Sequence, residues 1–161
     1  MSPPDTVSSS GRVGSGRRLG LHLGVLVQPY RASGRTVKGL TTADVAGFLE
    51  DKYGLMGVFY RVHNRTVVDA IENSLEGAME SLLMGQAIDP WGRGMQKIQT
   101  AFKDFISSRE AERVRIPGTP TQAALMGVNH RLKRPYARAN PRRPSFKDTG
   151  LYMASFRAWV D

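Results

Sequence analysis

Leu19-Gly20-Leu21-His22-Leu23-Gly24-Val25-Leu26-Val27-Gln28 places an apolar residue at every second position. Leu19, Leu21, Leu23, Val25 and Val27 fall on one side; Gly20, His22, Gly24 and Gln28 fall on the other, with Leu26 the one exception. Strand side chains alternate between two faces, so this period predicts a half-buried strand over 19–28. A second alternation closes the chain, with Phe156, Ala158 and Val160 set against Arg157 and Trp159. It predicts a strand from Ala154 to Val160, preceded by a turn or helix start at Asp148, Thr149 and Gly150. The chain has 161 residues, the length of one domain with appended arms. Two such segments at its opposite ends are expected to pair in one sheet.

Between them the pattern is helical. Pro29 should end the first strand, and residues 31–35 should form a turn. Thr41 or Thr42 supplies an N-cap oxygen, Asp44 lies in the first turn, and Gly54 provides a left-handed stop. Val45, Phe48, Leu49 and Tyr53 are the apolar face of that helix. The longest helical signal runs from Met56 to Met84. Its expected core-facing stripe is Tyr60, Val67, Ile71, Leu75, Ala78 and Leu82, with Ile71 and Leu75 buried. A further helix is predicted over Met95–Ser107, with Met95, Ile98, Phe102, Phe105 and Ile106 inward, and a short one over Thr121–Leu132. Lys133–Asp148 holds three prolines, which fix the backbone and remove donors, so it should be extended.

These readings predict an α+β fold: a small antiparallel sheet including the N- and C-terminal strands, packed against one long helix and two or three shorter ones, with extended arms. The divisions are a flexible arm over 1–18, a core over 19–132, a basic Pro/Arg-rich segment over 133–148, and a strand over 149–161 that completes the core.

Charge is distributed unevenly. The net charge is +9, yet residues 41–90 carry three basic against eight acidic residues, while 116–161 carry eight basic against two acidic. Residues 1–40 carry six basic and one acidic. A basic–acidic–basic order suits nucleic-acid contact and equally suits head-to-tail contact between copies. The acidic side of that contact is expected at Asp69, Glu72, Glu76 and Glu80, spaced along one helix face. Like charges at such spacing cost about 0.2–0.5 kcal/mol per pair unless a cationic partner covers them. The basic side is expected at Arg12, Arg17 and Arg18 in the first arm and at Arg134, Arg138, Arg142 and Arg143 in the second. Both arms are expected to be ordered by neighbouring subunits.

The residue census argues against catalysis. The absence of cysteine rules out disulfides and thiolate metal sites and is compatible with a reducing cytoplasm. His22, His63 and His130 do not stand at metal-ligand spacing. Glycines 14, 16 and 20 precede a strand and miss the dinucleotide spacing. There is no P-loop and no nucleophile elbow. No cofactor is expected. No apolar run reaches the roughly 20 residues of a membrane helix, and no signal peptide is expected from Met1–Arg18.

The C-terminal residues carry a family resemblance. Pro144-Ser145-Phe146-Lys147-Asp148-Thr149-Gly150-Leu151, followed by Ala154-Ser155-Phe156-Arg157-Ala158-Trp159-Val160, resembles the ending of tail-completion, or neck, proteins of tailed bacteriophages. In that family the Thr-Gly opens a short helix and a strand follows. Leu23-Gly24-Val25-Leu26, then Thr41-Thr42-Ala43-Asp44-Val45-Ala46 and Leu49-Glu50-Asp51-Lys52-Tyr53-Gly54, is similar to the strand and helix of phage minor tail and virion-morphogenesis proteins. The resemblance covers about 70 residues at the two ends. It implies a virion structural protein, assembled in the host cytoplasm. Such a ring-forming head–tail connector subunit would bind itself, a portal or adaptor, and a tail terminator or tail tube. Non-specific contact with packaged DNA is open to its basic segments. A tail-tip or baseplate subunit, and a basic nucleic-acid-binding module, are the alternatives.

Overall fold

The computed structural model describes residues 20–32, 35–86 and 89–161. The element order is β1 (Leu21–Val25), β2 (Pro29–Ala32), β3 (Arg35–Thr41), α1 (Thr42–Tyr53), α2 (Leu55–Val62), α3 (Asn64–Leu83), α4 (Gly92–Ser107), α5 (Glu110–Arg113), α6 (Gln122–Leu125), α7 (Leu151–Ser155) and β4 (Phe156–Val160). This is a small α+β fold with two antiparallel two-stranded sheets, β1–β4 and β2–β3.

The two chain ends pair as their alternation requires. Leu21 stands opposite Val160, Leu23 opposite Ala158 and Val25 opposite Phe156. Val25, Phe156 and Ala158 are buried. On the opposite face His22 stacks on Trp159, with ring centroids 5.3 Å apart, and its Nε2 lies 2.7 Å from Asp161 Oδ1.

Of the alternating stretch over 19–28, Leu19 lies outside the described residues, and β1 ends at Val25 because Thr42 redirects the chain. The fully buried Thr42 hydroxyl donates to the Leu26 carbonyl at 2.6 Å and accepts the Gln28 N–H at 3.0 Å. Pro29 then opens a strand instead of ending one, and β2 pairs with β3 through an irregular register between Pro29 and Arg31. Proline is tolerated at the first residue of an edge strand. Of the expected turn over 31–35, Arg31, Ala32 and Arg35 are strand, and residues 33 and 34 lie outside the described residues.

α1 begins and ends where its caps predict. Thr41 Oγ1 accepts the Asp44 N–H while Asp44 Oδ2 accepts the Thr41 N–H, a reciprocal capping box. Gly54 closes the helix at φ +57°. The expected single helix over 56–84 is two. His63, at φ −103° and ψ 19°, separates α2 from α3. Its ring stacks on Phe59, meets Phe105 edge-on, and lies 3.1 Å from Glu110. Those contacts hold the break, which no proline or glycine announces.

The core is centred on α4. Ile98, Phe102, Phe105 and Ile106 are fully buried there, with Met95 nearly so. Phe102 stacks on Phe156 at 3.8 Å and meets Phe59 edge-on at 5.1 Å. α3 crosses α4 where Gly94 faces Ala70 and Ser74. The buried side chains of α3 are Val67, Ala70, Ser74 and Ala78. The expected stripe is thus corrected: Ile71 is half-buried against the core, but Leu75 is 41% exposed, Leu82 72% and Tyr60 43%. Small residues seat α3 because the helices approach closely.

The predicted helix over 121–132 shrinks to Gln122–Leu125, capped by Thr121. Residues 133–148 hold neither helix nor strand, but they are folded into turns instead of the expected extended segment: Ala137 N–H donates to Arg134 O, Asn140 N–H to Ala137 O and Lys147 N–H to Pro144 O. Ala154 belongs to α7, so the last strand starts at Phe156.

Candidate interaction surfaces

α3 carries three parallel stripes. One is the buried row Val67, Ala70, Ser74 and Ala78. Beside it stand Val68, Leu75, Met79 and Leu82, all exposed, continued by Leu83 and Met84 at the end of the helix. Beyond them lie Asp69, Glu72, Glu76 and Glu80, also exposed. Residues three and four apart share a helix face, so the apolar row separates the core from the acidic row along the whole helix. Met79 at 65% and Leu83 at 88% exposure are large apolar groups left in water. A contiguous ridge of that kind, rimmed by charge, marks an interaction surface.

The basic segment divides in two. Arg131, Lys133, Arg134 and Arg138 are exposed. They project from a loop that bonds to itself: Asn140 Nδ2 donates to the carbonyls of Arg134 and Pro135, both at 2.9 Å, and the Asn129 N–H donates to Pro135 at 3.0 Å. Arg142 and Arg143 instead make contacts within the chain. Arg142 Nη2 lies 2.6 Å from Glu112 Oε2. Arg143 donates from Nε to the Val128 carbonyl and from Nη1 to the Pro144 carbonyl, and sits 4.0 Å from Asp148. The expected ordering of 133–148 by neighbours is corrected accordingly: its C-terminal half is tied to its own domain. Arg12, Arg17 and Arg18, with the arm over 1–18, lie outside the described residues.

Glu112 is the clasp. Its carboxylate is 7% exposed and accepts the Ser145 N–H at 2.9 Å, the Ser145 hydroxyl at 2.8 Å and Arg142. Burial pushes this carboxyl up, but the Ser145 and Arg142 bonds outweigh it and hold it below its ordinary value. Burial likewise pulls Arg143 down, against the pull of Asp148. The sequence census missed Glu112, which lies 30 residues from Arg142 and 33 from Ser145. Nothing local marks it.

Each histidine has a carboxylate partner. Besides the pairs at His22 and His63, His130 Nδ1 is 2.6 Å from Asp148 Oδ2, and its Nε2 is 3.0 Å from the Tyr136 hydroxyl. These are pairwise contacts joining distant chain segments. Among the described residues no group of three or more His, Asp or Glu side chains could hold a metal ion, and no helix is long and apolar enough to cross a membrane.

A cleft of about 560 Å³ runs along β1, walled by α1 and α2. Leu21, Leu23, Val25, Ala46 and Met56 line it, with Glu50 and Asp51 as its acidic groups. Glu50 caps the start of α2, accepting the Met56 N–H at 2.7 Å and the Gly57 N–H at 3.2 Å.

No family model matches the chain, and no curated protein or solved structure matches it either.

Proposed function

We propose that this chain is a non-catalytic assembly subunit of a tailed-bacteriophage virion, a ring-forming neck protein joining head to tail. The observation that carries the reading is the exposed apolar ridge of α3 with its acidic rim. A surface of that composition, on a chain that also presents Arg131, Lys133, Arg134 and Arg138, suits a heterologous contact. The acidic ridge of one copy meets the basic loop of the next, and repetition closes a ring. The ridge supplies apolar area at the centre and the charges supply orientation. Its partners are further copies, a portal or adaptor, and a tail terminator or tail tube.

The C-terminal unit supports the same reading. Thr149 Oγ1 accepts the Leu151 N–H at 3.2 Å, Gly150 turns at φ +82°, and the five-residue α7 leads into β4. Helix then strand after Thr-Gly is the arrangement that the resemblance to neck proteins implies.

The test is the native mass of the purified protein, alone and on a portal–adaptor ring, for the wild type and for the Met79→Glu, Leu82→Glu double variant. The expected result is one discrete oligomer that the variant fails to form while it keeps the melting temperature of the dilute, unassembled wild type. A wild type that stays monomeric in both settings overturns the proposal. A DNA titration separates the nucleic-acid alternative. A binder neutralising six or more phosphates should lose on the order of 10³-fold in affinity between 50 and 200 mM salt.

A further inference from the structure

β1 has an edge that no described strand covers. Gly20 and Asp161 exchange both backbone hydrogen bonds, Gly20 N–H to Asp161 O at 3.0 Å and Asp161 N–H to Gly20 O at 3.2 Å. In an antiparallel pair such bonded positions recur at every second residue. His22 and Gly24 therefore bond across to β4, and the N–H and C=O groups of Leu21, Leu23 and Val25 point the other way. Among the described residues β4 is the only strand paired with β1. The cleft described above is lined by all five β1 residues, from both faces of the strand. It therefore borders the edge and does not lie over one face alone.

We infer that this edge and cleft receive an extended segment from a second copy of the chain, residues 1–18, as an added strand. Backbone bonds to Leu21 and Leu23, which are part-exposed where Val25 is buried, would hold it, and alternate side chains would enter the cleft, the usual division of labour in strand addition. The charges fit: the segment carries Arg12, Arg17 and Arg18 against a single Asp5, and the cleft offers Glu50 and Asp51. So does the length, since 18 residues exceed what a five-residue strand needs. The α1 wall does not crowd the cleft, because a Cβ built on Gly47 meets nothing within 4 Å. A segment passed from each copy to the cleft of the next is a heterologous contact, the type that closes rings. The inference rests on the reading of this chain as a ring subunit and names the segment that links its neighbours.

The absence of cysteine gives a clean test. Val13→Cys in one tagged copy is mixed with Gly47→Cys in another and mildly oxidised, with Asp51→Cys as a second cleft position and Thr100→Cys, on α4, as the control. A seated segment has an effective concentration far above that of free encounter. Cross-linked heterodimers should therefore exceed the control by roughly tenfold. Native mass is read on the same samples. An oligomer with no cross-link above control overturns this inference and leaves the ring reading intact. Absence of both oligomer and cross-link overturns the two together. A Val13→Cys, Gly47→Cys double variant that oxidises only within single chains shows the segment returning to its own cleft, and also overturns the inference.

Discussion

α3 and α4 lie against each other, yet they dispose of their side chains in opposite ways. α4 turns its large residues inward: Met95, Ile98, Phe102, Phe105 and Ile106 are all buried. α3 turns small ones inward, Ala70, Ser74 and Ala78 beside Val67, and leaves Leu75, Met79, Leu82 and Leu83 outside. A helix seated through small residues gains close backbone approach rather than buried volume. Its large residues are then free for another surface. α4 thus stabilises the fold, and α3 both completes it and leaves an apolar face uncovered.

The largest consequence falls on α4. Phe102 is fully buried between Phe156, Phe59 and Tyr152. Phe102→Ala should cost about 3–5 kcal/mol, the range for a buried aromatic that leaves a cavity. At 2–4 °C per kcal/mol for a chain of this size, the melting temperature should fall by roughly 10 °C. A fall no larger than that of an outer-face α3 variant would erase the contrast between the helices.

Next comes the clasp that closes the far end of the α4 layer. Glu112→Ala strands the N–H and hydroxyl of Ser145, which is itself 1% exposed, and should cost about 2–3 kcal/mol. Because the folded carboxyl is held below its ordinary value of 4.5, its contribution is present above the unfolded pKa and is lost as pH falls through the folded one. Urea midpoints measured from pH 7 down to pH 3 should therefore decline for the wild type. Glu112→Ala should lack this carboxyl's share of that decline, so the gap between the two proteins narrows towards pH 3. A gap that stays constant would assign the cost to packing.

The crossing point itself gives a sharper test. A Cβ on Gly94 would lie 2.5 Å from the Ala70 carbonyl oxygen and closer still to Ser74 Oγ. Helix propensity favours alanine over glycine by about 1 kcal/mol, whereas forcing a methyl into a packed contact costs about 1–3 kcal/mol. The Ala70 backbone cannot rotate away as a side chain could, so Gly94→Ala should destabilise despite its better propensity. A raised melting temperature would mean that the helices are not seated this closely.

Much of this is legible in the sequence. Alternation at both ends gave the β1–β4 pair, Thr41, Asp44 and Gly54 bounded α1, and the large apolar residues of α4 marked the core face. What failed did so for identifiable reasons. A search for large apolar residues at helical spacing selected Leu75 and Leu82 on α3, since nothing local shows that Ala70 and Ser74 face a glycine 20 or more residues away. The break at His63 and the clasp at Glu112 depend on side chains brought together by the fold, across 47 residues to Glu110 and 30 to Arg142. Pro29 reads as a breaker in either position, and only the partner strand decides that it opens β2. For the proposed interface, the acidic row is legible, whereas Leu75 and Leu82 of the apolar ridge beside it read as core from their spacing.

Leu75 carries the smallest effect and decides most about that ridge. Were it in the core, as its spacing suggested, Leu75→Ala would cost about 2–5 kcal/mol. At 41% exposure much of its surface is already in water, and no closed cavity forms on truncation. The cost to the monomer should be below about 1 kcal/mol, close to the range of ordinary surface changes, or less than roughly 4 °C in melting temperature. In an assembly that covers α3 the same side chain leaves water, and its loss counts again at every interface. Stability coupled to association depends on protein concentration. The wild-type melting temperature should accordingly rise with concentration, Leu75→Ala should rise less, and the two curves should converge at high dilution. Curves separated by the same gap at every concentration would place Leu75 in the monomer's own packing and remove the distinction drawn between α3 and α4.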